Sequence, residues 1–155
     1  MNLSNKNYTN IAITNFTQHQ ELISCIKSKY IEQILLISRI ISDKLANQST
    51  IFFCGNGGSS TDAMHLAAEL LGRFKKDRRP LSALALTNDA ASLTCISNDF
   101  GYKEIFSRQV NGLARKGDIV FCLSTSGNSQ NILEVLKTSK DKEMISVALL
   151  GKDGG

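Results

Sequence analysis

A short apolar run that ends in a glycine-rich loop decides the fold: Thr50-Ile51-Phe52-Phe53-Cys54-Gly55-Asn56-Gly57-Gly58-Ser59-Ser60. A continuous run of this kind is typical of a strand buried on both faces. A helical pattern follows from about residue 60 to residue 72. Further apolar runs at 82–86, 118–123 and 145–150 are separated by helical patterns at 90–96, 103–114 and 131–140. This alternation predicts an α/β fold, a three-layer sandwich in which a central parallel sheet is flanked by helices.

The loop after the first strand, here called the glycine loop (residues 55–60), is suited to binding a ligand. Ligands of open α/β sheets bind at the carboxyl ends of strands. The glycines allow a close approach of the backbone, and the next helix offers free N–H groups to an anion. The loop has neither the third glycine of a dinucleotide fingerprint nor the Gly-Lys-Ser/Thr of a P-loop. A tight turn without a binding role is the alternative.

A second loop, here called the serine loop (residues 124–129), also follows a predicted strand and precedes a helix. It carries four hydroxyl side chains, on Ser124, Thr125, Ser126 and Ser129. Hydroxyls beside a helix N-terminus suit the oxygens of a phosphate. The alternative is a helix capped by Ser126 or Ser129, but one cap accounts for one hydroxyl and not for four. The pattern favours a phosphate site.

Two titratable side chains, His65 and Glu69, lie four residues apart on the helix after the glycine loop and therefore on one face. Such a pair can share a divalent metal, or the carboxylate can act as a base. An ordinary surface contact is the alternative. Arg73 extends the same face, and Asn98-Asp99 is interpreted as the close of another strand-to-helix connection. The position of the pair next to a candidate phosphate loop favours a functional role.

The N-terminal region is predicted to be helical after a polar start. Residues 1–14 are polar and Asn-rich, so we expect a flexible arm there. Residues 16–48 contain no Gly or Pro and carry apolar residues at helical spacing, which indicates one long helix or two joined helices. Their apolar stripe is wide, which leaves two alternatives open: packing on the same domain alone, or packing against a second subunit as well.

Length and composition indicate one globular domain, residues 15–155, with the N-terminal helices at 16–48 and the sheet with its helices at 50–155. The chain has 155 residues, 42% of them hydrophobic, and a net charge of +4. Basic residues are scattered apart from the run at 73–79, which favours a small anion over nucleic acid. The chain ends in a turn with no helix covering the last strand, so we expect it to be C-terminally incomplete.

Cysteine usage and hydropathy indicate a cytoplasmic protein. The four cysteines, Cys25, Cys54, Cys95 and Cys122, form no CxxC pair, and three of them have apolar or small neighbours. Buried free thiols in a reducing compartment are therefore expected. The N-terminus has no signal-peptide pattern, and no apolar run approaches the roughly 20 residues that span a bilayer. We expect no membrane partner.

In this order the motifs resemble the sugar isomerase (SIS) family, and within it the phosphoheptose isomerases, from about residue 49 to residue 155. Besides the two loops, the matching blocks are Asp62-Ala63-Met64-His65, Glu69-Leu70-Leu71-Gly72-Arg73, Ser97-Asn98-Asp99-Phe100-Gly101, Ile105-Phe106-Ser107-Arg108 and residues 151–155. The resemblance implies the SIS fold and an aldose–ketose isomerase. Its substrate would be sedoheptulose 7-phosphate, and its product D-glycero-D-manno-heptose 7-phosphate for ADP-heptose, lipopolysaccharide and capsule synthesis.

The resemblance also implies roles for individual residues. Glu69 would be the catalytic base, and His65 and Glu69 would bind zinc, one ion per subunit. The remaining zinc ligands, a Gln and a His, are expected from a C-terminal segment absent here, so this form of the chain is expected to be impaired. A homotetramer is also implied. The substrate-binding residues would be Asn56, Gly57, Gly58, Ser59, Glu69, Arg73, Asn98, Asp99, Ser124, Thr125, Ser126 and Ser129.

Two alternatives remain open for the function. The first is a non-catalytic SIS-fold regulator that binds a replication initiator protein, since such proteins keep much of the loop sequence. The second is an isomerase of another sugar phosphate, because the walls of the pocket set the length of the sugar. His65, Glu69 and Asp99 together favour the enzyme.

Overall fold

The structure, a computed structural model, describes residues 5–155. Its contacts divide the chain into two compact units, Met1–Ile40 and Ile41–Gly155. Helix α1 (Asn5–Lys29) and the larger part of helix α2 (Ile31–Ala46) belong to the first unit. The two helices meet at Tyr30, whose N–H donates to the carbonyl oxygen of Ile26 at 2.9 Å. Of the two alternatives for this region, two joined helices are therefore observed.

Helix α1 begins earlier than the sequence predicts. Residues 5–14 are helical, which corrects the flexible arm expected there; residues 1–4 of that arm lie outside the described residues. The physical reason is that no Gly or Pro separates residues 5–14 from the predicted helix. Once a helix is nucleated, each further residue adds one hydrogen bond, so the helix extends through polar sequence as well.

The second unit is built on a sheet of four parallel strands. They are β1 (Ile51–Gly55), β2 (Ala83–Ala85), β3 (Ile119–Ser124) and β4 (Ile145–Leu150). Their order in the sheet is β2-β1-β3-β4, so β1 and β3 are the central strands. Every neighbouring pair is parallel, as the sequence predicts.

Helices connect the strands and cover both faces of the sheet. They are α3 (Gly58–Leu71), α4 (Ala90–Phe100), α5 (Ser107–Leu113) and α6 (Gln130–Asp141), with a short 3-10 helix at Tyr102–Glu104. Helix α3 packs on β1 and β2. Its buried residues facing the sheet are small, Ala63 and Ala67, so the helix can approach the strands closely. The predicted three-layer α/β fold is confirmed.

The hydrophobic core lies mainly between the sheet and the other helices. Phe52 and Cys54 of β1 pack there with Val120 and Cys122 of β3. Helices α5 and α6 and the residue before α5 contribute Phe106, Val110, Ile132 and Val135 to the same cluster. All five residues of β1 and four of the six residues of β3 are buried, and the other two are half-buried, as the continuous apolar runs predict.

All four cysteines are free thiols, but only Cys54 and Cys122 are buried. Their sulfur atoms are 3.5 Å apart. The hydrogen bond with Cys122, together with burial, raises the pKa of the Cys54 thiol well above its usual range. Cys95 is exposed, which corrects the expectation of a buried thiol: Leu93 and Ile96 face the core from α4, and Cys95 lies on the opposite side of that helix.

Within the described residues 5–155, none of the helices combines the length and the apolar character that crossing a membrane requires.

Candidate functional site

The glycine loop and the serine loop emerge side by side at the carboxyl edge of the sheet. Gly55 at the end of β1 is in register with Leu123, one residue before the end of β3. The strand order also changes direction here, because β2 lies on one side of β1 and β3 and β4 lie on the other. In open parallel sheets, this switch point is where ligands bind.

The conformation of the glycine loop depends on its glycines at two positions. Gly57 has φ 57°, a left-handed conformation that glycine adopts without steric cost. A Cβ on Gly55 would lie only 2.7 Å from the Cβ of Ser59 and 2.8 Å from its carbonyl oxygen. Helix α3 begins immediately afterwards, at Gly58. The loop therefore brings the N-terminus of α3 tightly against the end of β1.

Two hydroxyl oxygens of the serine loop accept hydrogen bonds from the loop's own backbone. The N–H of Gly127 donates to Ser124 Oγ at 3.1 Å, and the N–H of Asn128 donates to Ser126 Oγ at 3.2 Å. A hydroxyl that accepts in this way still carries a hydrogen that it can donate. The hydroxyl hydrogens of Ser124 and Ser126 therefore stay available for donation to another group.

The structure speaks against helix capping as the reason for these hydroxyls. Ser129 occupies the N-cap position of α6, yet within the described part of the chain its side chain makes no capping hydrogen bond. Ser126 Oγ accepts from the N–H of Asn128, and its distance to Ser129 Oγ is 3.5 Å. The first N–H groups of α6 have no intrahelical acceptor, so the helix end presents positive partial charge to the loop.

An amide pair joins the two loops. Asn56 of the glycine loop donates from Nδ2 to Asn131 Oδ1 at 2.9 Å, and Asn131 Nδ2 donates to Asn56 Oδ1 at 2.8 Å. The hydroxyl of Tyr102 donates to the same Asn56 Oδ1 at 2.9 Å. Sequence reasoning missed Asn131 and Tyr102. A signal for Asn131 was its position on the face of α6 that also carries the apolar residues Ile132 and Val135.

Asn98 and Asp99 lie in the last turn of α4, which corrects their interpretation as the close of a strand-to-helix connection. The helical pattern continues four residues past the predicted end, because Gly101 is the first residue to interrupt it. Asn98 shares an open depression of about 420 Å³ with Tyr102. Asn98 Nδ2 donates to Asp99 Oδ1 at 2.8 Å, and both side chains are exposed.

His65 and Glu69 lie on one face of α3, as predicted, with 3.7 Å between His65 Nε2 and Glu69 Oε1. The His65 side chain is 73% exposed and that of Glu69 is 34% exposed. At a rise of 1.5 Å per residue, Glu69 is about 16 Å along the helix axis from Gly58. Helix α3 therefore carries Glu69 away from the glycine loop, and His65 lies between the two. Arg73 follows the end of α3 and is exposed.

The end of α3 is fixed by an arginine that the sequence analysis did not single out. The guanidinium of Arg78 donates to the carbonyl oxygens of Glu69 at 2.7 Å and of Leu70 at 2.9 Å. It also reaches the carbonyl oxygen of Gly72 at 3.3 Å. A cation at a helix C-terminus satisfies carbonyls that have no intrahelical donor. Arg78 thereby holds the turn that carries Glu69.

The His65–Glu69 pair fits part of a zinc site. Imidazole nitrogen and carboxylate oxygen are both zinc ligands, and the 3.7 Å between their atoms is compatible with binding to one ion. Among residues 5–155, no group of three or more His, Cys, Asp or Glu is placed to hold a metal. The pair would therefore supply two ligands, and a complete site needs others.

The fold and the two loops define a parallel α/β domain of the class that binds small ligands at its strand ends. The model of the SIS domain family matches residues 15–151, and the chain belongs to this family. The chain is 47% identical over 138 residues to the phosphoheptose isomerase of Nitratiruptor sp., a match that covers 89% of this chain and 74% of the relative. It is 43% identical over 146 residues to the phosphoheptose isomerase of Helicobacter pylori, a match that covers 94% of this chain and 76% of that relative.

Solved structures agree with this assignment. The phosphoheptose isomerase from Neisseria gonorrhoeae superimposes with a TM-score of 0.89 at 36% identity, covering 96% of this chain and 77% of that one. A phosphoheptose isomerase from Francisella tularensis gives a TM-score of 0.88 at 31% identity, and the match covers 99% of this chain and 78% of that one. The predicted family and the predicted SIS fold are confirmed.

Proposed function

We propose that this chain is a phosphoheptose isomerase, an aldose–ketose isomerase that converts sedoheptulose 7-phosphate into D-glycero-D-manno-heptose 7-phosphate. The observation that carries the proposal is that the serine loop lies beside the glycine loop at the switch point of the sheet. The relatives of this chain are phosphoheptose isomerases. The product would serve ADP-heptose synthesis for lipopolysaccharide or capsule, in the cytoplasm.

The serine loop is the proposed phosphate site. Ser124 and Ser126 have their oxygens engaged as acceptors by the loop backbone, so each hydroxyl can still donate its hydrogen to a phosphate. The hydroxyls of Ser126 and Ser129 are 3.5 Å apart and can also bond to each other. Ser129 adds a hydroxyl that capping does not use, and Thr125 is exposed beside it. Hydroxyl donors and the dipole of α6 together stabilise a dianion without a lysine in the loop.

The glycine loop and the end of α4 are the proposed sugar site. Asn56 reaches this space from the glycine loop, where Gly57 and Gly58 are exposed and leave the backbone accessible. Ser59 lies in the first turn of α3. Asn98 lines the depression that also contains Tyr102, and Asp99 is next to it. Amide and carboxylate groups of this kind recognise sugar hydroxyls by hydrogen bonding.

Glu69 is the proposed base. Moving a carbonyl from C2 to C1 requires a proton to be removed from C1 and returned to C2 through an enediol, with a second proton moved between the oxygens. One carboxylate can accept the carbon-bound proton and return it to the neighbouring carbon. The partial exposure of the Glu69 side chain leaves it accessible to a substrate, while Arg78 fixes the backbone of its turn.

Zinc is the proposed cofactor, with His65 and Glu69 as two of its ligands and Arg73 close to the substrate. When bound, a zinc ion supplies a Lewis acid that polarises a carbonyl oxygen. Titration calorimetry with Zn²⁺ tests the ligands directly. We expect His65→Ala to lose the Zn²⁺ binding that is measured for the wild type. Unchanged Zn²⁺ binding in this variant would remove His65 from the site.

The position of Glu69 supports a site shared between subunits. Because Glu69 is about 16 Å along α3 from Gly58, the proposed base lies away from the sugar site proposed for the same chain. A second copy can bring its own α3 to this sugar. We therefore propose the homotetramer that the resemblance implies. Exposed apolar residues of α1 and α2, among them Phe16, Leu22 and Leu36, would pack between copies.

The test is an aldose–ketose assay with sedoheptulose 7-phosphate on the wild type, Glu69→Gln and a control, Glu134→Gln. Glu134 is also a partly exposed helical glutamate with a cationic neighbour, Lys137, but it lies on α6. We expect turnover to fall by at least a hundredfold in Glu69→Gln and to stay unchanged in the control. Equal turnover in all three proteins would remove Glu69 from the mechanism. Phosphate binding without any turnover of a seven-carbon or shorter sugar phosphate would favour a non-catalytic regulator.

A further inference from the structure

We propose that Asn131 is a positioning residue that fixes the amide of Asn56, so that Asn56 presents to the sugar one N–H donor and no acceptor. The inference rests on the proposed function, because it assigns the chemistry of the sugar site that the isomerase would use. It adds to that site a residue that does not itself touch the substrate.

The geometry of the pair is reciprocal. Asn56 Nδ2 donates to Asn131 Oδ1 at 2.9 Å, and Asn131 Nδ2 donates to Asn56 Oδ1 at 2.8 Å. Asn131 is 2% exposed, so it is held by the core of the domain and not by solvent. The two bonds hold the amides of Asn56 and Asn131 in one plane, and the Tyr102 hydroxyl, which donates to Asn56 Oδ1 at 2.9 Å, distinguishes the oxygen end of the Asn56 amide from its nitrogen end.

The donors and acceptors of the Asn56 amide can be counted to find which of them remain for binding a ligand. Its Oδ1 has two lone pairs, and these accept from Asn131 Nδ2 and from the Tyr102 hydroxyl. Its Nδ2 has two hydrogens, and one of them is bonded to Asn131 Oδ1. A single N–H therefore remains. A donor recognises an oxygen that can accept, such as the carbonyl or a hydroxyl oxygen of the sugar.

Asn131 also connects this donor to the phosphate loop. It is the second residue of α6, the helix that begins directly after the serine loop. The hydroxyl contacts of Ser124, Ser126 and Ser129 are made within the serine loop and do not involve the Asn131 amide. Changing that amide should therefore affect recognition of the sugar and leave the binding of phosphate unchanged.

The test uses Asn131→Asp, which keeps the shape of the side chain. An ionised carboxylate accepts from Asn56 Nδ2 but has no hydrogen to donate to Asn56 Oδ1. A protonated carboxyl has that hydrogen and reproduces the reciprocal pair, and burial favours the protonated form. Relative to the wild type at each pH, we expect kcat/KM of the variant to be reduced about tenfold at neutral pH and to recover as the pH falls below about 6.

Two controls separate positioning from a merely structural role. Asn131→Leu cannot form the pair in any protonation state, so its reduced kcat/KM relative to the wild type should not change with pH. The inhibition constant of inorganic phosphate should remain within about twofold of the wild type in both variants. A pH-independent ratio for Asn131→Asp, or a parallel loss of phosphate inhibition, would overturn the proposal. If Asn131→Leu does not fold, the pH dependence of Asn131→Asp decides alone.

A measurement that does not depend on turnover distinguishes a failure of this inference from a failure of the proposed function. If the wild type does not isomerise the sugar phosphate, the proposed function fails and the amide pair is judged by NMR of the full chain. The two Nδ2 hydrogens of Asn56 should exchange with solvent at unequal rates in the wild type, because only one is bonded to Asn131. They should exchange at similar rates in Asn131→Leu, which offers no acceptor to Nδ2, and at unequal rates in Asn131→Asp, whose carboxylate still accepts from Nδ2. Equal rates in the wild type would contradict the pairing.

Discussion

The carboxylate of Asp118 accepts the backbone N–H of Thr50 at 2.8 Å, across 68 residues of sequence. Its other oxygen accepts the N–H of Arg115, also at 2.8 Å. Asp118 is 7% exposed and directly precedes β3, whereas Thr50 directly precedes β1. One buried side chain thus fixes the starts of the two central strands, whose other ends carry the two loops of the site.

We expect Asp118→Ala to destabilise the protein by about 1–3 kcal/mol, because two partly buried N–H groups lose a carboxylate acceptor. Asp118→Asn keeps one oxygen acceptor and should cost less than the alanine variant. Urea unfolding followed by circular dichroism measures both. Similar free energies of unfolding for the wild type and Asp118→Ala would show that the two hydrogen bonds do not hold the strands.

Gly55→Ala should disturb the glycine loop, because its Cβ would lie 2.7 Å from the Cβ of Ser59 and 2.8 Å from backbone oxygen. We expect a loss of roughly 1–3 kcal/mol of stability, typical of overpacking. The matched control is Gly112→Ala in α5. Among the described residues, a Cβ there meets no heavy atom within 4 Å, so this variant should gain about 1 kcal/mol from helix propensity. Equal thermal shifts in the two variants would contradict the steric argument.

Ser129→Ala separates phosphate binding from helix capping. A capping serine costs about 0.5–2 kcal/mol when replaced by alanine. Since the Ser129 side chain makes no capping bond within the described residues, we expect the free energy of unfolding to change by less than about 0.5 kcal/mol. KM for the sugar phosphate should rise several-fold. A destabilised variant with unchanged KM would restore the capping interpretation.

Asp89, at the N-terminus of α4, makes a pH-dependent contribution to the stability of the fold. The Ser92 hydroxyl, with the backbone N–H groups of Ser92 and Ala91, lowers the pKa of Asp89 below its ordinary 3.8. A lowered folded-state pKa stabilises the fold above pH 3.8, and this contribution is lost as the pH falls through the folded value. Carboxyl titration by NMR should show the lowered pKa in the wild type and a value closer to 3.8 in Ser92→Ala. An identical pKa in the two proteins would rule out the serine as its cause.

Co-expression of two variants tests the shared site. Glu69→Gln removes the base, and a chain with both Ser126→Ala and Ser129→Ala weakens the phosphate loop. If base and phosphate loop come from different copies, mixed assemblies contain some intact sites, and activity should exceed that of either variant alone. No gain in co-purified mixed assemblies would mean that each chain uses its own Glu69, in conflict with the distance along α3.

Much of the fold could be predicted from the sequence because its signals are local. The run at residues 51–54 is continuously apolar because β1 is covered on both faces, and the strand ends at Gly55, where the glycine loop begins. The hydroxyls of the serine loop lie close together in sequence, so the residue pattern by itself indicates the candidate phosphate site. Helix length was less predictable: α1 extends into the polar residues 5–14, since helix propagation tolerates polar side chains.

The sequence alone determined the succession of strands and helices, the two loops and the pairing of His65 with Glu69, because each depends on spacing along one element. Only the tertiary structure decided that Asn56 meets Asn131, 75 residues away, and that Arg78 holds the end of α3. Contacts between side chains of different elements depend on the packing of helices on the sheet, and no local pattern of residues encodes that packing.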